Sequence, residues 1–348
     1  MAILLQIILL VVGFVLLIKG ADIFVDGASS TAKHFGMPKI LIGLTIVAFG
    51  TSAPEFAVSV KSLLAGSGDM MVGNVVGSNI LNILLILGTA SLIHSLPVKN
   101  STLKKEIPLL ILITIMFGTL MCDKLFGFTD ANSLTRQDGL VLTLAFGIFM
   151  YYLVGMVRRR ARRKEINAKL ALEGKPEKYK LVEDDNVEVK PMSIQKAIVF
   201  IILGIAGIII GSNFVVDSAS AIARALGVSD ALIALTIVAF GTSLPELVTS
   251  VVAARKGECD IAIGNVVGSN IFNIGIVAGI PILLLGGVSD MTSFTYVDVA
   301  VMLLATLLLF VFTFKDRHVG KFEGAIFLLV FLAYYGYTIA QALIWSLK

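Results

Sequence analysis

The chain has 348 residues, 57% of them hydrophobic and 15% charged, with a formal net charge of +4. A soluble domain carries roughly a quarter charged residues, so this composition excludes a soluble fold of this size. The stretches 3–18, 105–121, 139–157, 197–211 and 299–314 are almost free of charge, and each is about as long as a helix needs to cross ~30 Å of hydrocarbon. Their apolar runs are continuous rather than alternating, which excludes a transmembrane β-barrel.

Taken in chain order, the pattern predicts an all-α membrane protein with ten spans: 2–28, 38–65, 70–94, 105–122, 138–157, 196–224, 230–255, 260–286, 295–314 and 321–345. The first segment lacks a basic flank and a small-residue cleavage site, so it reads as a retained helix rather than a signal peptide. Lys19 lies within it and is expected to snorkel, or to pair with Asp22 or Asp26 along the same helix. The one long connection, 158–195, opens on Arg158-Arg159-Arg160-Ala161-Arg162-Arg163-Lys164. The positive-inside rule puts it in the cytoplasm. Alternation of ten spans then collects 22 of the 28 Lys and Arg residues on that side and predicts both termini outside. The two cysteines, Cys122 and Cys259, fall at opposite membrane faces in this topology, and together with three histidines they give no metal spacing.

The chain repeats itself. Residues 41–60 and 232–251 agree at fifteen of twenty positions, and 73–83 and 264–274 at ten of eleven, both at an offset of 191. Each half, 1–157 and 196–348, therefore holds five predicted spans. An odd number inverts the second half in the membrane, an arrangement that in secondary transporters brings a substrate site to the midplane where the repeats meet.

The most similar parts of the repeats are polar. Glu55 and Glu246 fall near the middle of spans two and seven, where a carboxylate is costly and marks a functional site by default. No Lys or Arg lies at comparable depth in the repeated segments. Pro54 and Pro245 precede the two glutamates and free the carbonyls four residues back, at Gly50 and Gly241. Ser52, Glu55 and Ser59, like Ser243, Glu246 and Ser250, share a helix face. Asn74, Ser78 and Asn82 form a second stripe that Asn265, Ser269 and Asn273 repeat. Gly73/Gly77 and Gly264/Gly268 read as small-residue pairs for close helix packing. The ligand set is all oxygen, which disfavours soft metals and suits Ca2+, with its 6–8 flexible oxygen ligands, and Na+ of similar size.

At these residues the chain resembles the Ca2+/cation antiporter superfamily, and within it the prokaryotic Na+/Ca2+ exchangers. The motifs GTSxPE and GNVVGSNI-x-NI each occur twice, in order, and the likeness covers all ten spans. The resemblance implies exchange of Na+ for Ca2+ with Glu55 and Glu246 as central ligands. It further implies Thr51, Ser52, Thr242, Ser243, Ser78, Asn82 and Ser269 as ligands, with the carbonyls of Ala48 and Ala239. Asn273 stands where the potassium-dependent branch carries Asp, so K+ co-transport is not expected. The His-containing motif of the H+-coupled branch is absent. The expected partners are Ca2+ and Na+ as substrates and the bilayer; no cofactor, enzymatic reaction or nucleic acid is expected, and a monomer suffices. The competing readings are exchange of H+ for Ca2+ or another divalent cation and, from a different class, a cation channel.

Overall fold

The computed structural model describes residues 2–127, 130–173, 176, 192–228, 233, 236–237, 239–289, 291 and 296–346. The described residues form a mostly helical membrane protein. Its elements are α1 (Ala2–His34), α2 (Lys39–Thr51), α3 (Ala53–Leu64), α4 (Gly68–Ile93), α5 (Ile107–Leu120), α6 (Arg136–Leu172), α7 (Ile194–Ala225), α8 (Ala239–Thr242), α9 (Leu244–Arg255), α10 (Cys259–Leu285), α11 (Tyr296–Asp316) and α12 (Lys321–Ser346). Among the described residues seven of these are long and apolar enough to cross a membrane, and the bent pair α2–α3 makes an eighth. The predicted span 230–255 is described only in part, because residues 229–232, 234–235 and 238 lie outside the described set.

The helices divide into two groups. Most of the apolar window of α4 (72%) and α10 (83%) is buried, against 17% for α1, α6 and α12 and 28% for α7. The repeated polar segments therefore form the centre, and the uniformly apolar helices wrap it with Leu, Ile, Val and Phe facing outward. That is the pattern of a helical protein whose solvent is hydrocarbon.

Helices α1 and α7 pack along their whole length through small residues seven apart. Gly13 meets Gly211, Gly20 meets Gly204, Gly207 and Ile208, and Gly27 meets Ala197 and Ile201. The partner number falls as the first rises, so the two helices run antiparallel. A Cβ at Gly20 would lie 2.8 Å from the backbone nitrogen of Ile208, and one at Gly204 would lie 2.6 Å from the Cβ of Phe24. Only glycine permits this approach. At the centre, Gly264 and Gly268 pack against Gly43 and Leu44 of α2, as their spacing predicts. The matching partners of Gly73 and Gly77 would be 234–235, outside the described residues.

The connections gather at two ends. At one end β1 (Leu96–Pro97) pairs antiparallel with β2 (His318–Val319). There Lys256 bridges Asp22 at 2.8 Å and Asp26 at 2.7 Å, Lys39 meets Glu258 at 2.6 Å, and Lys99 meets Asp260. At the other end Leu134 and Val288 exchange backbone hydrogen bonds, and Val288 covers Gly68.

Two local expectations change. Asp22 and Asp26 pair with Lys256, which approaches from another element, instead of with Lys19; Lys19 is exposed on the outer face of α1. The fifth predicted span, 138–157, is part of a helix that continues to Leu172 through the basic run. Arg, Lys, Ala, Leu and Glu are strong helix formers, and Glu165 pairs with Lys169 one turn on at 2.8 Å, so the helix persists once the apolar stretch ends. Its start is fixed by a capping box between Thr135 and Asp138.

Candidate cation site

The break between α2 and α3 builds the first half of the site. Proline at position 54 has no N–H for the carbonyl of Gly50, and the helix bends by 46° at Ser52, whose φ is −84° and ψ 7°. Ser243 sits at the matching break, with φ −88° and ψ 3°, ahead of Pro245. There Ser212 of α7 donates to the carbonyl of Gly241 at 3.0 Å, so one of the two proline-freed carbonyls has a partner sequence reasoning did not foresee. Around the site the helices also widen into π-helical turns, at Gly43–Val47, Leu81–Leu87 and Asn273–Ala278. Such turns are uncommon and cluster at functional sites.

Glu55 is fully buried and Glu246 is 1% exposed. Each is held by the serine of the other repeat. Ser52 Oγ donates to Glu246 Oε1 at 2.8 Å, and Ser243 Oγ to Glu55 Oε1 at 3.4 Å. The crossed serine bonds gather the two carboxylates into one buried centre. Two desolvated carboxylates with no ammonium or guanidinium partner among the described residues demand a cation or protons.

Three further pairs of hydrogen bonds are related by the same offset of 191. Asn74 Nδ2 donates to Ser59 Oγ and to the carbonyl of Glu55, both at 3.0 Å. Asn265 Nδ2 donates to Ser250 Oγ at 2.9 Å and to the carbonyl of Glu246 at 3.4 Å. Asn82 Nδ2 donates to Asn270 Oδ1 at 2.9 Å, and Asn273 Nδ2 to Asn79 Oδ1 at 3.1 Å. The stripes Asn74/Ser78/Asn82 and Asn265/Ser269/Asn273 are thus divided: the first asparagine of each braces the glutamate helix, and the last turns to the opposite repeat.

The expected site residues mostly converge. Ser78 Oγ lies 3.3 Å from Ser243 Oγ, within hydrogen-bonding reach of it. Thr242 lies beside Glu55, and Thr51 and Ser269 beside Glu246. Thr51 Oγ1 donates to Asn265 Oδ1 at 3.1 Å, a bond that ties it to the brace. The carbonyl of Ala48 accepts from the N–H of Ser52 at 3.0 Å and lies 3.4 Å from the hydroxyl of Thr51. At Ala239 the ladder differs, because the N–H of Ser243 reaches the carbonyl of Phe240 instead, at 3.1 Å.

Six buried oxygens of the expected residues have no hydrogen-bond partner of good geometry: Glu55 Oε2, Glu246 Oε2, Asn82 Oδ1, Asn273 Oδ1, Thr242 Oγ1 and Ser269 Oγ. Buried polar atoms are almost always paired, so this concentration is what a dehydrated cation would satisfy. Among the described residues no group of three or more His, Cys, Asp or Glu side chains could hold a metal ion. The two carboxylates are supplemented by neutral oxygens, a hard-cation set. Asn79 and Asn270 escaped the sequence reading, although both stand in the duplicated GNVVGSNI motif.

Fold and site together define a polytopic helical membrane protein with two buried carboxylates in an oxygen-lined centre. The family model for the sodium/calcium exchanger protein matches residues 5–155 and 196–340, one match in each half. The chain belongs to this family, which is one of transporters and not of enzymes. It is 40% identical over 330 residues to the putative antiporter CaxA of Alkalimonas amylolytica, covering 94% of this chain and 96% of the relative. It is 31% identical over 345 residues to the sodium/calcium exchanger MaX1 of Methanosarcina acetivorans, again covering 94% and 96%. The sodium-calcium exchanger NCX_Mj, soaked with zero Na+ and Ca2+, has a similar structure, with a TM-score of 0.77 at 30% identity over 98% of this chain and 99% of that one.

Proposed function

We propose that this chain is a secondary active antiporter that exchanges Na+ for Ca2+ by alternating access across a cell inner or plasma membrane. It has ten spans in two inverted five-helix repeats, 1–157 and 196–348. The connection 158–195 is cytoplasmic and both termini are outside. One observation carries the reading: six orphaned buried oxygens, two of them on the carboxylates of Glu55 and Glu246, which have no basic partner among the described residues. Glu55 and Glu246 neutralise one Ca2+. Ser52, Ser243, Thr51, Thr242, Ser78, Ser269, Asn82 and Asn273, with the carbonyls of Ala48 and Ala239, complete the oxygen cage for Ca2+ and Na+. Two ions of similar size competing for one cage is what exchange requires.

The inverted arrangement is supported by the antiparallel course of α1 and α7, which occupy equivalent positions in the two halves, and by the reciprocal hydrogen bonds across the site. Sodium as the coupling ion is supported by the named function of MaX1 and NCX_Mj and by the neutral hydroxyl and amide oxygens beside the carboxylates. The monomer is proposed as the working unit, because its two repeats supply both carboxylates.

Everted membrane vesicles containing the protein should take up 45Ca2+ when a Na+ gradient is imposed. Uptake that ignores Na+ and follows a pH gradient would assign the coupling to protons. Uptake that needs no counter-gradient at all would make the protein a channel.

A further inference from the structure

Four buried asparagines close a ring across the repeat boundary. Asn79 Nδ2 donates to the backbone carbonyl of Asn270 at 3.4 Å, and Asn270 Nδ2 to the backbone carbonyl of Asn79 at 3.2 Å. Their side-chain oxygens accept the amides of Asn273 and Asn82 respectively. All four are at most 1% exposed.

This wiring fixes which end of each amide faces the site. A backbone carbonyl is an acceptor only, so the Nδ2 of Asn79 and of Asn270 must point at the opposite carbonyl. Their Oδ1 atoms then point away and demand donors. Asn273 and Asn82 supply those donors with Nδ2, which leaves their own Oδ1 atoms unpartnered. Rotating either site amide by half a turn would set two oxygens against each other. Asn82 and Asn273 are thus held as acceptors toward the site, the form a cation needs.

We infer that Asn79 and Asn270 are positioning residues for ion binding: each locks the amide oxygen of the ligand asparagine in the opposite repeat, Asn79 acting on Asn273 and Asn270 on Asn82. The inference rests on the cation-site reading above and adds to it a specific crossed coupling. A partner that orients a metal ligand is worth about 10–100-fold in affinity. Neither residue touches the ion, and in the sequence each looks like a neighbour of the asparagine on its own helix.

The test is a set of double-mutant cycles, read by 45Ca2+ binding to purified protein and by its displacement with Na+. Asn79→Ala and Asn273→Ala should each weaken binding of at least one ion by about tenfold. Together they should be no worse than about the single variants, because both remove the same oriented oxygen. Asn270→Ala and Asn82→Ala should behave the same way. The same-helix pairs, Asn79 with Asn82 and Asn270 with Asn273, should instead multiply to about 100-fold. A merely structural role would lower thermal stability in every background without this crossed pattern and without moving the Na+-to-Ca2+ displacement ratio. Asn79→Ser and Asn270→Ser, which keep a small polar side chain too short to span the gap, carry the same cycles where an alanine variant does not fold. Crossed pairs that multiply, or a silent Asn79→Ala, would overturn the inference while leaving the cation site standing. Failure of the wild-type protein to bind either ion would overturn the site itself.

Discussion

At the scale of single residues, the site is dominated by the cost of two buried carboxylates. Among the described residues Glu55 and Glu246 have no basic neighbour to share that cost, so their charge is balanced by whatever occupies the cage. Calcium affinity in oxygen sites is tuned by the number of charged ligands. Glu55→Gln or Glu246→Gln should therefore lower Ca2+ affinity by about 100-fold or more, measured by 45Ca2+ binding. The neutral side chain still accepts from the serine of the other repeat, so the fold should survive. Ca2+ binding at the wild-type level in either variant would remove the central role given to these residues.

At the scale of elements, the question is which helices can move. The glycine seam makes α1 and α7 one tightly packed antiparallel pair, and their outer faces meet lipid rather than protein. In the proposed exchange cycle such a pair would slide as a unit over the four-element centre of α2–α3, α4, α8–α9 and α10. Sliding would first have to break the ion pairs of Lys256 with Asp22 and Asp26, and the 2.7 Å bond from Ser29 to Glu258. These groups are partly solvated, so screening limits each pair to about 1 kcal/mol or less. They act as a light latch, not a lock. Lys256→Ala removes both pairs and should thus raise the population opened at that end by up to about thirtyfold. Cys259 is a native reporter: it is 7% exposed, and its thiol lies 3.8 Å from the carbonyl of Ser95 on the same face. In a Cys122→Ala background, thiol labelling of Cys259 should quicken when Lys256 is replaced. An unchanged rate would mean that this cluster does not restrain α1.

At the scale of the whole molecule, the connections among the described residues sort into two ends. The loops that hold Lys39, Lys99, Lys256 and His318 meet at one end; those that hold Gly68, Leu134 and Val288 meet at the other. Sidedness can be tested in a background with Cys122→Ala and Cys259→Ala. Leu64→Cys, at a position 69% exposed, should react with an impermeant thiol reagent from outside the cell, and Leu172→Cys, at a position 89% exposed, only after the membrane is opened. The reverse pattern would invert the proposed orientation.

The sequence by itself determined the environment, the duplication and the chemical character of the site. Composition alone demands hydrocarbon as solvent, and a duplicated Pro-Glu step in apolar helices has few purposes other than holding an ion. These are properties of residue types and of spacing along one helix, which a linear reading captures. Partnership across the repeat boundary is different, because it depends on how two distant helices are rotated against each other. From spacing, Asn74, Ser78 and Asn82 look like one stripe with one task. The π-helical turn from Leu81 changes the helical phase there, and the packing sends Asn74 to the glutamate helix and Asn82 to Asn270. Likewise Lys256 displaces Lys19 as the partner of Asp22 and Asp26, and Ser212 reaches the carbonyl of Gly241, because tertiary approach brings each closer than sequence neighbours can come. Only the folded molecule decides which amide oxygens face the ion, because the hydrogen bonds that orient them come from the opposite half of the chain.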